Sequence, residues 1–320
     1  LIKNVERNDV AGQMYMDFLA VTQQAAIAAS LWIGKGCKQE ADEAGTTAMR
    51  ENMNRIGMRG RIVIGEGEMD EAPMLYIGEQ LGTGQGPRVD IAVDPVEGTS
   101  LMATGQDNAI AVIAASSEGS LLHAPDMYMK KLAVGPQAAG RIHLDWPMSE
   151  NVLSVADALG KKVSDVTVMI QDRPRHEQLI RDVLNTGARV RLFSDGDVTG
   201  AIATAIEEYN VDMLAGTGGA PEGVLAAVAL RCLGGDIQAQ LLPQHEGEYE
   251  RCIQMGLPKP GTILTLDDMV QSDDCLFVAT GITDGMLLQG VRQRNGTALT
   301  HSFIAFGGNH AKFQFIESYH

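Results

Sequence analysis

The chain has 320 residues, 45% of them hydrophobic, with 36 glycines and 11 prolines, a globular composition long enough for two domains or one large divided α/β body. Its 25 Lys+Arg against 41 Asp+Glu give a formal net charge of -16, which argues against nucleic acid or an anionic membrane as the main partner. That charge does not bar a small phosphorylated molecule, because a local cationic cluster or a bound cation can invert the field inside one pocket. Cys37, Cys232, Cys252 and Cys275 form no Cys-x-x-Cys pair, and no apolar run reaches membrane-spanning length. The opening "LIKNVERNDV" lacks a following apolar h-region, so the chain reads as a cytosolic protein with reduced thiols.

Residues 13–33 are Ala-rich, free of Gly and Pro, and apolar every three to four positions, which predicts a half-buried helix stopped by Gly34 and Gly36. A second helix is expected from Asp42 to near Gly57. A short strand at Ile62–Ile64 runs into the acidic turn "GEGE", and "RVDIAVD" at 88–94 repeats that plan. Residues 108–115, "NAIAVIAA", read as a central strand of the same sheet. From about residue 150 strands and helices alternate: "VTVMIQD", "RHEQLIRDVLNTG", "ARVRLFSDGD", "VTGAIATAIEE", "VDMLAGTGG" and "APEGVLAAVALRCLGG". Such alternation with short connections predicts a largely parallel sheet with ligands at the carboxyl ends of its strands. Residues 242–262 look turn-rich and peripheral, and "CLFVATGITDG" adds a late strand.

Acidic side chains gather where these strands end. Glu66, Glu68, Asp94, Glu97 and Glu222 lie in or beside Gly-rich turns, and Asp42 opens its helix. Hard divalent cations such as Mg²⁺ and Mn²⁺ take oxygen ligands of this kind, and a pair of them can promote phosphoryl transfer. Simpler roles compete: Asp42 as an N-cap, Asp70 and Glu71 as solvated turn acids, Asp94-Pro95 as an ordinary turn. The weight falls on "DPVEGT", where Gly98 and Thr99 set backbone N–H groups and a hydroxyl beside two carboxylates.

"DPVEGT" resembles the D-P-x-D/E-G-T/S motif of the metal-dependent, lithium-sensitive sugar phosphatase superfamily. Together with "VIGEGEMDEAPMLYIGE", "APDMYMKKL", "RPRH", "SDGDV" and "GGAPEGV", the chain from about residue 15 onward resembles the class II, GlpX-type fructose-1,6-bisphosphatases. The resemblance implies a layered α-β-α-β-α fold with an N-terminal α+β metal-binding domain at 1–150, a C-terminal α/β domain at 151–320, and the active site in the cleft between them. It implies that Asp42 and Glu66 hold one Mn²⁺ or Mg²⁺, while Asp94, Glu97 and Glu222 hold or bridge a second. Thr99 falls at the catalytic threonine, either taking part directly or placing the attacking oxygen. Glu97, Gly98, Thr99, Tyr128, Arg173, Pro174, Arg175, Asp195, Gly196, Asp197 and Gly219 fall at substrate positions.

In that scheme Arg173 and Arg175 grip the uncleaved phosphate, and Asp195, Asp197 and Tyr128 bond sugar hydroxyls. Each has a plainer reading: the two Arg as surface cations, Asp197 as an N-cap, His176 as a local structural group, Lys38 as a solvated cation. Lys130 and Lys131 add positive potential, one of them at the surface. One departure stands out, since Cys37 replaces the acid of an acid-Lys pair; the favoured reading is a small buried residue. The implied reaction is hydrolysis of the 1-phosphate of fructose 1,6-bisphosphate in gluconeogenesis by a cytoplasmic homo-oligomer, dimer or tetramer. Sedoheptulose-1,7-bisphosphatase activity, alone or alongside, is the alternative. An inositol-type monophosphatase shares the acidic turn but not "GGAPEGV" or "RPRH", and a non-catalytic sugar-phosphate sensor would not need Thr99 and the full acid set.

Overall fold

A computed structural model describes residues 10–65, 75–308 and 312–320. The chain divides into two compact units: the first holds residues up to Leu121 with Ser272–Asp284 and Leu288–His320, the second Leu122–Gln271 with Gly285–Leu287. The second unit therefore opens at Leu122, and not near residue 150. Its ends meet where the Leu122 N–H donates to the Met269 carbonyl at 2.9 Å.

In chain order the first unit opens with α1 (Val10–Ser30), α2 (Lys38–Met53), β1 (Arg59–Ile64), β2 (Gln80–Leu81), β3 (Arg88–Glu97), α3 (Thr99–Ala103) and β4 (Ile110–Ser117). The second comprises β5 (Tyr128–Val134), α4 (Met148–Leu159), β6 (Thr167–Gln171), α5 (Glu177–Asn185), β7 (Arg189–Phe193), α6 (Asp197–Ala203), β8 (Met213–Gly219), α7 (Ala220–Leu233), β9 (Asp236–Leu241), α8 (Glu246–Gln254) and α9 (Leu266–Met269). β10 (Cys275–Gly281), β11 (Arg292–Arg294), β12 (Thr297–Phe306) and β13 (Lys312–Tyr319) return to the first.

The first sheet runs β11-β12-β10-β4-β3-β1-β2, with β13 also on β12. β4 is central, as its unbroken apolar run predicts, and is antiparallel to both β3 and β10. The chain returns after residue 271 because β10 and β12 complete this sheet. α1 packs across β10, β4 and β12, and its Phe18, Val21, Ala25 and Ala29 are buried in the same core as Ile91, Ile113 and Val278. Between α1 and the sheet a buried hydroxyl chain links Thr22, Thr280 and Ser302 at 2.9 and 2.8 Å, so these polar groups are satisfied where water is excluded.

The second sheet runs β7-β6-β8-β5-β9. β7, β6 and β8 are parallel, as the strand–helix alternation predicts, whereas β5 and β9 add on antiparallel, so the sheet is mixed. β5 precedes the alternating run and pairs with its last strand, a long-range partnership that no local pattern encodes. The antiparallel register Tyr128↔Gly219 sets the start of β5 beside the end of β8, on the same border of the sheet as the ends of β6 and β7.

Three local expectations change. α2 starts at Lys38, so Asp42 sits one turn inside it and Cys37 occupies the N-cap. Lys38 to Ala41 contain no breaker, and the stop lies upstream at Gly36, φ 73°. The N-cap of α6 is Gly196, not Asp197. The region 242–262 contains α8, which His245 caps by accepting the Glu248 N–H at 3.3 Å.

Candidate active site

In the first unit β3 carries the acidic motif to its last residue. The pairing of β3 with β4 slips between Asp94↔Val112 and Glu97↔Ile110. Pro95, which has no N–H for the ladder, lies in that slip. Asp94 Oδ1 accepts the Val96 N–H at 2.9 Å, folding the turn over the proline. Glu97 is buried, with 5% of its surface exposed. Gly98 then takes φ 85°, ψ 38°, a left-handed geometry that costs glycine little, and turns the chain directly into α3.

Thr99 opens α3, and its hydroxyl lies 3.0 Å from Asp42 Oδ1 and 2.9 Å from the Val96 carbonyl. α2 can come this close because Gly45 faces β3: a Cβ there would stand 3.0 Å from Val96 Cγ2 and 3.4 Å from Pro95. Burial pushes the Asp42 carboxyl up to about 6, and the nearby Asp94 charge adds to the rise, against the opposing pull of the Thr99 hydrogen bond and the Lys38 charge. Lys38 itself donates to Ser100 Oγ at 2.8 Å, and Cys37 is half-buried with its Sγ 3.5 Å from the Lys35 carbonyl.

These donors are all hard oxygens, and Asp42 and Asp94 repel each other, which is the donor chemistry a divalent cation satisfies. Among the described residues no three His, Cys, Asp or Glu side chains are grouped to hold a metal ion. Glu66, with Glu68, Asp70 and Glu71, lies outside the described residues.

In the second unit the expected substrate positions come together on the sheet border formed by the ends of β6, β7 and β8. The Arg175 guanidinium lies 5.1 Å from the centre of the Tyr128 ring and donates to the Thr217 carbonyl at 2.9 Å and to Gln171 Oε1 at 2.8 Å. Gln171 Nε2 in turn donates to Asp195 Oδ1 at 3.3 Å. Pro174 and Arg175 lie in the short 3₁₀ turn 174–176, while half-buried Arg173 donates to the Asp172 carbonyl at 3.1 Å. Gly196, buried at φ 91°, turns β7 into α6, whose first residue is Asp197.

His176 is buried and bridges two strands. Its Nδ1 meets the Gln171 carbonyl at 2.7 Å and its Nε2 accepts the Thr217 N–H at 2.8 Å, which fixes the neutral tautomer with the proton on Nδ1. Burial, with the charges of Arg175 and Arg173, holds its pKa below the ordinary value. Gly219 ends β8 and leads into α7, whose third residue is Glu222. A Cβ on Gly219 would overlap the Glu222 carboxylate, so only glycine lets that acid fold back over the turn.

Of the two lysines, Lys130 is exposed and donates to the Leu144 carbonyl at 3.2 Å. Lys131 is buried and donates to Asp197 Oδ2 and, at 2.7 Å, to the Gly219 carbonyl. Alternation along "YMKKLAV" marks the two as facing opposite sides of a strand, the signal that separates them once that stretch is taken as β5.

The first unit thus brings the Thr99 hydroxyl to Asp42 with the Asp94 charge nearby, and the second gathers Tyr128, Arg175, Asp195, Asp197, Gly219 and Glu222 along one sheet border. Residues 12–320 match the family model described as bacterial fructose-1,6-bisphosphatase, glpX-encoded. The chain is 46% identical over 305 residues to the fructose-1,6-bisphosphatase class 2 of Haemophilus influenzae, covering 91% of each chain. It is 47% identical over 308 residues to the fructose-1,6-bisphosphatase 1 class 2 of Escherichia coli K12, covering 92% of this chain and 91% of the other. The crystal structure of the extragenic suppressor protein suhB from Bartonella henselae overlaps slightly, with TM-score 0.34 and 15% identity over 59% of this chain and 73% of that one. With a family model spanning nearly all of the sequence and relatives near half identity over nine-tenths of their length, the chain belongs to the glpX-encoded bacterial fructose-1,6-bisphosphatases.

Proposed function

We propose that the protein hydrolyses the 1-phosphate of fructose 1,6-bisphosphate, giving fructose 6-phosphate and inorganic phosphate, as a gluconeogenic enzyme of the cytoplasm. The observation that carries the reading is the Thr99 hydroxyl held between Asp42 Oδ1 and the Val96 carbonyl, in a chain whose relatives carry that activity in their names. The oxygen donors of Asp42, Glu66, Asp94, Glu97 and Glu222 suit Mn²⁺ or Mg²⁺, which when bound supplies positive charge to the phosphoryl oxygens and acidifies a nearby oxygen nucleophile.

The protein's own groups do the rest. Asp42 accepts the Thr99 proton and leaves the hydroxyl oxygen's lone pairs directed away from the carboxylate. Gly98, whose left-handed turn starts α3, brings backbone N–H groups beside Thr99, where they meet charge developing on the phosphoryl oxygens. Arg173 and Arg175 take the phosphate that stays on the sugar. Arg175 comes pre-aimed, because three fixed partners hold its guanidinium before any ligand arrives. Asp195, Asp197 and Tyr128 bond the sugar hydroxyls.

Among the described residues no helix is long and apolar enough to cross a membrane. We place the enzyme in the cytoplasm as a homo-oligomer, dimer or tetramer, which light scattering on the purified protein tests. The activity is tested by phosphate release from fructose 1,6-bisphosphate with Mn²⁺, with Mg²⁺ and with a chelator. Release only with a divalent cation supports the reading, and no release with either metal across neutral and alkaline pH overturns it. Competition by sedoheptulose 1,7-bisphosphate in the same assay measures whether the longer sugar is also accepted.

A further inference from the structure

We propose that Lys131 is a positioning residue for the sugar: its buried ammonium fixes Asp197 and the Gly219 peptide together, at the starts of α6 and α7. The inference rests on the reading of Asp197 and Gly219 as substrate positions.

Lys131 is 3% exposed, in the middle of β5, on the side of the sheet that α7 covers. Two glycines make room for it. A Cβ on Gly223 of α7 would stand 3.2 Å from Lys131 Cδ, and one on Gly218 would stand 3.1 Å from its Nζ and 2.7 Å from Asp197 Oδ2. A Cβ on Gly219 would displace the Glu222 carboxylate from the same turn. Small residues are therefore required where β8 ends and α7 begins, so that one cation and two carboxylates can enter there.

A buried ammonium is an expensive way to fill this space. Desolvating it offsets most of its attraction to Asp197, and replacing the whole ion pair by well-packed apolar groups is commonly as stable or more so. What the ammonium supplies is geometry. It holds Asp197 by Oδ2, leaving Oδ1 to accept from a sugar hydroxyl. It also holds the Gly219 carbonyl at 2.7 Å, while the N–H on the other side of that peptide, from Ala220, donates to the Met127 carbonyl at 2.8 Å. The peptide plane where Gly219 would approach the substrate is thus pinned from both sides. Lys130, one residue earlier, has no such reach and bonds the Leu144 carbonyl on the opposite side of the sheet.

The test is a double-substitution cycle on the full-length enzyme with its divalent cation, comparing the parent, Lys131→Met, Asp197→Asn and the pair. Met keeps the length and the apolar stem beside Gly223 of α7 while removing the charge. If Lys131 acts through Asp197, K131M lowers kcat/KM for fructose 1,6-bisphosphate by about tenfold or more, mainly through KM, and adding D197N lowers it by no more than about a further threefold. K131M lowers the melting midpoint, because it leaves the Asp197 carboxylate and the Gly219 carbonyl without their donor, so the split of the loss between KM and kcat, and not the midpoint, separates positioning from mere support. Should K131M fail to fold, Lys131→Gln, which keeps one donor for the Gly219 carbonyl, is judged by the same criteria. Parent-like KM and kcat in a folded variant, or losses that multiply in the pair, overturn the inference and leave the proposed activity standing. A parent that releases no phosphate overturns both.

Discussion

Thr99 has one hydroxyl proton and two acceptors at nearly equal distance, Asp42 Oδ1 and the Val96 carbonyl. The first arrangement leaves the oxygen's lone pairs for a reacting centre, and the second caps the turn into α3, so one side chain serves chemistry and local structure. Serine keeps both options and alanine neither. Thr99→Ala is expected to lower kcat by about 100-fold or more while Thr99→Ser stays within about tenfold of the parent, the range general acid–base groups command. Steady-state phosphate release decides it, and near-parental turnover in the alanine variant would remove Thr99 from the chemistry. Asp94 divides its duties in a similar way. Its Oδ1 folds the turn by accepting the Val96 N–H, which an asparagine oxygen also does, whereas its charge raises the pKa of Asp42. Asp94→Asn should therefore keep the parental circular dichroism and, without divalent cation, the parental melting midpoint, yet lose about 100-fold in activity, an effect comparable to deleting one preorganised charge in an active site. A variant that melts early would show the charge to be structural instead. These two residues were legible in the sequence because "DPVEGT" is local: turn, bulge and hydroxyl follow from neighbours in the chain. Gly45 and Lys131 were not, since what each touches depends on which helix crosses which strand.

At the scale of elements, the parallel strands β7, β6 and β8 and the helices between them were written in alternating periods, and the structure follows them. β5 and β9 joined the sheet unannounced, because antiparallel addition from distant segments leaves no local period, and α8 hid among turn-forming residues that its His245 cap organises. His176 shows how the site depends on such tertiary pairing. The registered ladder between β6 and β8 stops at Val168↔Met213 and Met169↔Leu214. Beyond it the imidazole replaces the missing rungs, joining the Gln171 carbonyl to the Thr217 N–H, the same two residues that aim Arg175. A protonated ring could no longer accept from Thr217. Its folded pKa lies below the ordinary 6.5, so as pH falls the unfolded chain takes the proton first. The stabilisation is complete above about 6.5 and declines as the pH drops toward the folded value. Burial lowers His301 and His320 too, which adds loss of the same sign. His176→Gln is expected to cost about 1–3 kcal/mol at pH 7.5, the penalty of a buried group left without its partner. Its further loss at pH 5.5 should be smaller than the parent's. Urea midpoints at the two pH values measure this, and an unchanged pH dependence in the variant would acquit His176.

At the scale of the whole molecule, the second unit is an insertion whose ends are joined by the Leu122–Met269 hydrogen bond, an arrangement invisible to any scan for a single boundary. The molecule has a formal net charge of -16 and is proposed to bind a substrate with two phosphates, so charge must be compensated at the site and not by the surface. In the proposed reading Arg173 and Arg175 provide part of that compensation. Asp42 and Asp94 do the opposite: they bring negative charge together, and burial with mutual repulsion already holds Asp42 at about 6. A divalent cation that relieves this repulsion binds the folded chain far better than the unfolded one, and so stabilises it by mass action, about 2.7 kcal/mol at a hundred times its Kd. The melting midpoint should rise by several degrees with Mn²⁺ or Mg²⁺, fall back with a chelator, and climb with the logarithm of metal concentration above Kd. General screening of so acidic a surface would also raise it, but without regard to valence or site. Sodium chloride at matched ionic strength supplies that control, and Asp94→Asn supplies the other, since it removes a proposed ligand while changing the net charge by one in 16. Site binding requires a large shift with the divalent ion, a small one with sodium, and loss of most of the difference in the Asp94 variant. Equal shifts with both salts, or an increment that survives the substitution, would reduce the acidic cluster to surface charge.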